Sequence, residues 1–129
     1  MVFKYTAGIG NVGSYQISGR PWITGSTSLA AGIEDQIVFP TVAKSVLVIN
    51  DSSEDIRIHF NATGSNNVVT GRHFVTLTQN RDSIEMGTRC KEIYISNPGS
   101  SAASYTVFAE LTNIGNAEMT VLTGSGLTD

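Results

Sequence analysis

The stretch Lys44 to Asn50, KSVLVIN, decides the fold. Four apolar residues run together in it, three of them β-branched, and the turn-forming Asp51-Ser52-Ser53-Glu54 closes it. β-Branched side chains lose rotamer freedom in a helix and fit the pleated surface of a strand. So short a bounded run reads as a central strand covered on both sides. Immediately beyond, Ile56, Ile58 and Phe60 alternate with Arg57 and His59, which is the period of a strand buried on one face. That alternation assigns His59 to the polar face.

Working outward, the same signals recur about every ten residues. Ile37-Val38-Phe39 stops at Pro40, which cannot donate to a ladder. Phe74, Val75 and Leu77 mark a strand before the turn Gln79-Asn80-Arg81-Asp82, and Ile84 and Met86 flank Glu85. Ile93-Tyr94-Ile95 ends at Asn97-Pro98-Gly99, and Tyr105, Val107, Ala109 and Leu111 alternate with polar residues and Phe108. Seven or eight short strands predict an all-β fold, an antiparallel β-sandwich of jelly-roll or immunoglobulin-like topology. The predicted core includes Val46, Val48, Ile56, Ile58, Phe60, Ile93, Ile95 and Val107. Three zones follow: an extended glycine-rich arm with short strands over 1–32, the sandwich over 33–112, and a tail over 113–129 with a strand at Met119 to Leu122.

Composition agrees. The 129 residues hold 23 Val and Ile against 6 Leu, and 14 Thr besides. A helical bundle or coiled coil is excluded on that ground. Three Lys and five Arg are scattered along a chain of net charge −3, so no basic patch forms and nucleic acid is not an expected partner. No run approaches membrane-spanning length and the first residues do not read as a signal peptide, which predicts a cytoplasmic origin and no membrane partner. The single cysteine, Cys90, excludes an intrachain disulfide and reads as a small half-buried hydrophobe. The sequons at Asn50 and Asn61 carry no information without secretion.

The candidate chemistry is thin. Gly8-Ile9-Gly10-Asn11-Val12-Gly13 matches the spacing of a dinucleotide fingerprint, but no helix able to hold a pyrophosphate follows before Gly19 and Pro21. Those glycines read instead as points of bending in the arm. His59 and His73 have no further ligand at metal spacing, so no metal and no cofactor is expected. Glu34-Asp35 and Glu54-Asp55 lack calcium-loop spacing and read as solvated loops. No catalytic residue is assigned and the chain is not expected to be an enzyme. Tyr5, Tyr15, Arg20 and Trp22 stand outside the strong strand pattern and are the candidate interface residues, because interfaces favour such side chains as anchors. Trp22 has two readings, a place in the chain's own core or an anchor on a neighbouring subunit.

The block KSVLVINDSSEDIRIHF, the following HFVTLTQNRDSIEMGTRCKEIYISNPGSSAASYTVFAELTNI, and the ending LTGSGLT together resemble small β-sandwich virion proteins of tailed bacteriophages. The likeness is to capsid decoration (cement) proteins of marine and cyanobacterial phages. It implies a non-enzymatic structural protein of the virion, made in the host cytoplasm. Its partners would be the major capsid protein or other virion proteins, and it would commonly be a homo-oligomer. Two other readings are a tail, baseplate or fibre component of the same fold, and a carbohydrate-binding module.

Overall fold

A computed structural model describes residues 19–63, 68–69, 71–78, 82–120, 122 and 127. The protein is all-β among them, with seven strands and one short 3₁₀ turn at Asn116–Glu118. In chain order the strands are β1 (Arg20–Leu29), β2 (Glu34–Asn50), β3 (Ile56–His59), β4 (Val75–Leu77), β5 (Ser83–Met86), β6 (Cys90–Ser96) and β7 (Ala103–Leu111). Every pairing is antiparallel. The order across the sheet is β1-β7-β2-β6-β3-β4, with β5 on β2.

β2 is the hinge of this arrangement. Its first half, Glu34 to Val38, pairs with β6, whereas its second half lies between β7 and β5. Pro40 therefore does not end the strand, as its missing N–H suggested. It falls where the β2–β6 ladder is interrupted, between Val38 and Ala43, so no ladder hydrogen bond is lost. Three residues later Ala43 faces Leu111 while Ser45 faces Glu110, which makes Lys44 an extra residue on β2. Such a bulge bends the strand and switches its faces. Ile37 and Phe39 point into the core before it, and Val46, Val48 and Asn50 after it.

One bent strand thus serves two halves of a sheet, β1-β7-β2-β5 and β2-β6-β3-β4. Their inner side chains form one cluster: Val46, Val48, Val107 and Ala109 from the first half meet Ile93, Ile95, Ile56, Ile58 and Leu77 from the second. This is the predicted sandwich, built by folding one sheet over. Seven of the eight predicted core residues are buried. Phe60 lies past the end of β3 and is half-buried against the cluster.

Two buried asparagines close the ends. The Asn50 amide donates to the carbonyls of Glu54, Leu77 and Thr78 at 2.7, 3.1 and 2.8 Å, tying β2 to β4. The Asn97 amide donates to the carbonyls of Leu29 and Ser101, at 3.0 and 2.6 Å, tying the end of β6 to β1. With these partners both buried amides follow the rule that buried polar groups are hydrogen-bonded.

Two boundaries differ from expectation. Residues 20–29, within the stretch read as an arm with short strands, are a ten-residue strand of the sheet, registered from Arg20 against Leu111 to Leu29 against Ala103. The strand alternation was diluted there by Gly25 and four hydroxyl residues, which carry little hydrophobic signal. Gly25 is not a bend: a Cβ on it would lie 2.6 Å from the Tyr105 carbonyl oxygen, so glycine lets β1 approach β7 closely. In the tail, Met119, Thr120 and Leu122 are not in a strand. Met119 and Leu122 instead pack with Val42 and Ile114 in a second small cluster. Hydrogen bonds from Val42 N–H to Ile114 O and from Thr112 N–H to Val42 O, both 2.9 Å, hold the returning chain on the bend of β2.

Candidate functional site

The sheet has two outer faces, and both depart from the rule that outward side chains are polar and solvated. On the first half, β1 places Trp22 and Ile23 on opposite faces, as successive strand residues must be. Trp22 turns inward, and its ring meets Phe39 edge-on, with centroids 5.3 Å apart and an interplanar angle of 86°. Edge-to-face is a favoured aromatic geometry. Trp22 is thus held by its own chain. Arg20, two residues earlier, is exposed. Tyr5 and Tyr15 lie outside the described residues.

Ile23 turns outward and is 67% exposed. Across the ladder it faces Phe108 of β7, and Phe108 faces Leu47 of β2. Directly opposed side chains on one face touch, so Ile23, Phe108 and Leu47 form a transverse apolar row, with Ile49 diagonal to it. Phe108, Leu47 and Ile49 are only half-buried. The expectation that KSVLVIN is covered on both sides therefore holds for the inner face alone. Sequence reading placed Phe108 on the outer face but drew nothing from it, and the cross-strand register supplies what was missing.

The row ends at an open edge. Among the described residues β1 has a ladder only with β7. The other outermost strands, β4 and β5, have three and four residues, a length that limits pairing with a foreign strand. β1 has ten, with Arg20 as its one charge. Pro21 and the register break between Ser26 and Leu29 blunt its two ends, leaving Trp22 to Ser26 without a second ladder among the described residues. Next to it a hydroxyl-lined groove of about 650 Å³ runs along Ser26, Ser28, Ser104 and Thr106.

On the second half, the outer face buries polar groups. His59 is 1% exposed, which corrects its assignment to a solvated face. The alternation of β3 is as read, but Asn61 to Thr63 and the neighbouring β6 and β2 residues cover the outward side. The Nδ1–H of His59 donates to the Asn61 carbonyl at 2.5 Å, because a carbonyl can only accept. Nε2 then accepts from the Ser96 hydroxyl at 3.1 Å, and the imidazole stacks on Tyr94 with centroids 5.8 Å apart. The Glu34 carboxylate is 3.6 Å from Nδ1 and accepts from the Thr63 N–H at 3.0 Å. Burial holds the imidazole below its ordinary pKa, against the raising effects of the Asn61 carbonyl and Glu34 and with a further lowering by Arg57. At neutral pH the ring is uncharged and makes no ion pair with Glu34.

A serine hydroxyl on a histidine Nε2 with a carboxylate nearby has the parts of a hydrolytic triad. The connections differ: Nδ1 is committed to a backbone carbonyl, and Ser96 is 8% exposed in mid-sheet. A triad needs its carboxylate on the Nδ1–H and its hydroxyl open to an acyl carbon. The arrangement instead knits β2, β3, β6 and the 61–63 segment together. Cys90 is fully buried rather than half-buried, and burial pushes its thiol up to about 12, far from the thiolate that reactivity requires. Among the described residues there is no group of three His, Cys, Asp or Glu placed to hold a metal ion. Among them, too, no helix is long and apolar enough to cross a membrane.

No family model matches the chain, and no curated protein does. A crystal structure of CapF with the inhibitor 3-isopropenyl-tropolone is similar at a TM-score of 0.38 and 11% identity. The match covers 72% of this chain, which spans 24% of that one, and a likeness so slight carries no argument.

Proposed function

We propose that the chain is a non-enzymatic structural protein of a tailed-phage virion, which attaches to the outer capsid surface and bridges its subunits. The observation that carries this reading is the apolar row Ile23–Phe108–Leu47 beside the open stretch of β1. Each apolar square ångström removed from water stabilises an interface by about 25 cal/mol. A half-exposed Phe, Leu and Ile rimmed by hydroxyl groups has the anatomy of a docking face, apolar at the centre and polar at the rim. The resemblance to decoration proteins supplies the partner, the major capsid protein.

The mechanism is linkage. A protein that binds the assembled lattice and not free subunits shifts the equilibrium towards assembly. Ser and Thr hydroxyls along the adjoining groove add neutral hydrogen bonds at the rim. Co-sedimentation of the purified chain with capsids lacking it tests the reading. The wild type should pellet with capsids in saturable proportion, and Ile23→Lys should weaken that binding at least about tenfold, the effect of some 1.4 kcal/mol. Failure of the wild type to bind capsids, or full binding by Ile23→Lys, would overturn it.

A further inference from the structure

The outer surface of β3 and β4 holds a cleft of about 360 Å³, lined by Asp55, Arg57, Arg72, Phe74 and Thr76 among others. In a chain of net charge −3 this brings two of only five arginines to one place. The Arg57 guanidinium carbon lies 4.2 Å from the centre of the Phe74 ring. Its Nε is buried with no hydrogen-bond partner. No ion pair joins Arg57 or Arg72 to a described carboxylate. Arg72 caps a tight turn in which its own N–H reaches the Val69 carbonyl at 3.2 Å, and its φ of 60° is one that non-glycine residues seldom adopt. Strain of that kind persists where the surroundings hold it and clusters at binding sites.

A second, more apolar cleft of about 230 Å³ adjoins the first and shares Arg72 and Phe74 with it. Here the Nδ1 of His73 is likewise buried and unpartnered. Two orphaned nitrogens, one on a residue lining each of these adjoining clefts, are a departure from the rule that buried polar groups find partners. A half-buried guanidinium calls for a planar oxyanion, which its fork can hold through two parallel hydrogen bonds. Asp55 leaves the cleft with one net positive charge, matched by a monoanion. As a carboxylate it accepts only, so it suits ligand hydroxyl groups. Phe74, whose ring carries the Arg57 guanidinium, adds an apolar wall to the cleft.

We propose that this cleft binds an acidic sugar of the uronate type, its carboxylate on Arg57 and Arg72 and its hydroxyls on Asp55 and Thr76. The inference stands apart from the docking face, which lies on the other half of the sheet. The test is titration of ¹⁵N-labelled protein with D-glucuronate, D-glucose and inorganic phosphate, followed by NMR. D-glucuronate should move the amide signals of residues 55–57 and 72–76 saturably. D-glucose should bind at least about tenfold more weakly. Arg72→Gln, in an exposed turn, and Arg57→Lys, which keeps the charge and loses the fork, should each lower glucuronate affinity about tenfold. Should Arg57→Lys fail to fold, Arg72→Gln decides. The proposal is overturned by absence of saturable shifts with D-glucuronate, by equal binding of D-glucose, by tighter binding of phosphate, or by full affinity in Arg72→Gln.

Discussion

The two outer faces of the folded sheet invite comparison. On β3–β6 the outward positions carry His59, Tyr94 and Ser96; His59 and Ser96 are buried, and Asn61 bonds the His59 ring. On β1–β7–β2 they carry Ile23, Phe108 and Leu47, and Ile23 is left 67% exposed. One face buries what water would solvate, and the other shows water what a core would take. An isolated exposed apolar residue is ordinary, whereas a buried polar cluster and a contiguous apolar row are informative. The comparison separates two uses of an outer face. Around His59 the first is covered by the chain's own residues, and on the proposed reading the second is covered by a partner.

If His59 is structural, its removal should do the greatest damage. His59→Ala strips partners from the Ser96 hydroxyl and the Asn61 carbonyl and leaves a void beneath Tyr94. A loss of about 3 kcal/mol is expected in urea unfolding. A change near zero would break the comparison, since the covered face would then be no more than a lid.

The close approach of β1 to β7 comes next. Gly25→Ala places a Cβ 2.6 Å from the Tyr105 carbonyl, a backbone atom that cannot yield cheaply. Overpacking of this kind costs about 1–3 kcal/mol. Because the open edge depends on β1 staying in the sheet, this variant should also weaken capsid binding. Undiminished stability and binding together would place attachment elsewhere.

Acid should act on the covered face. The folded imidazole lies below its ordinary pKa of 6.5 and the unfolded one near it, so on acidification the unfolded chain takes up the proton first. The stability due to neutral His59 is therefore whole above 6.5 and is lost as pH falls below it. Urea midpoints at neutral and mildly acidic pH should show this decline in the wild type and a shallower one in His59→Ala. Parallel declines would remove His59 as the cause.

The smallest effect belongs to the docking face. Ile23→Lys should change stability by no more than about 0.5 kcal/mol, since the side chain touches little within the chain. A large thermal destabilisation would mean that the row is core of this domain and not a surface for another.

How far this was legible in the sequence depended on whether one strand's alternation sufficed. Ile56 and Ile58, Ile93 and Ile95, and Val46 and Val48 announced the core by period alone. β1 hid because Gly25, Ser26, Thr27 and Ser28 contribute no hydrophobic contrast, although Trp22 and Leu29 bracket them. The bulge at Lys44 left no signal, because it is a matter of register between β2 and β7. His59 was misplaced since alternation gives the face of a residue and not what lies over that face. The apolar row could not be seen, because Ile23, Leu47 and Phe108 are far apart in sequence and meet only through pairing. The arginine cleft was missed likewise: Arg57 and Arg72 come together through the β3–β4 pairing and the turn at Arg72.

Electron cryomicroscopy of assembled virions that contain this chain tests the central claim most directly. The account predicts density for the chain on the outer capsid surface, with Ile23, Phe108 and Leu47 covered by the capsid protein and the β3–β6 face turned away. Attachment through another face, with that row open to solvent, would contradict it.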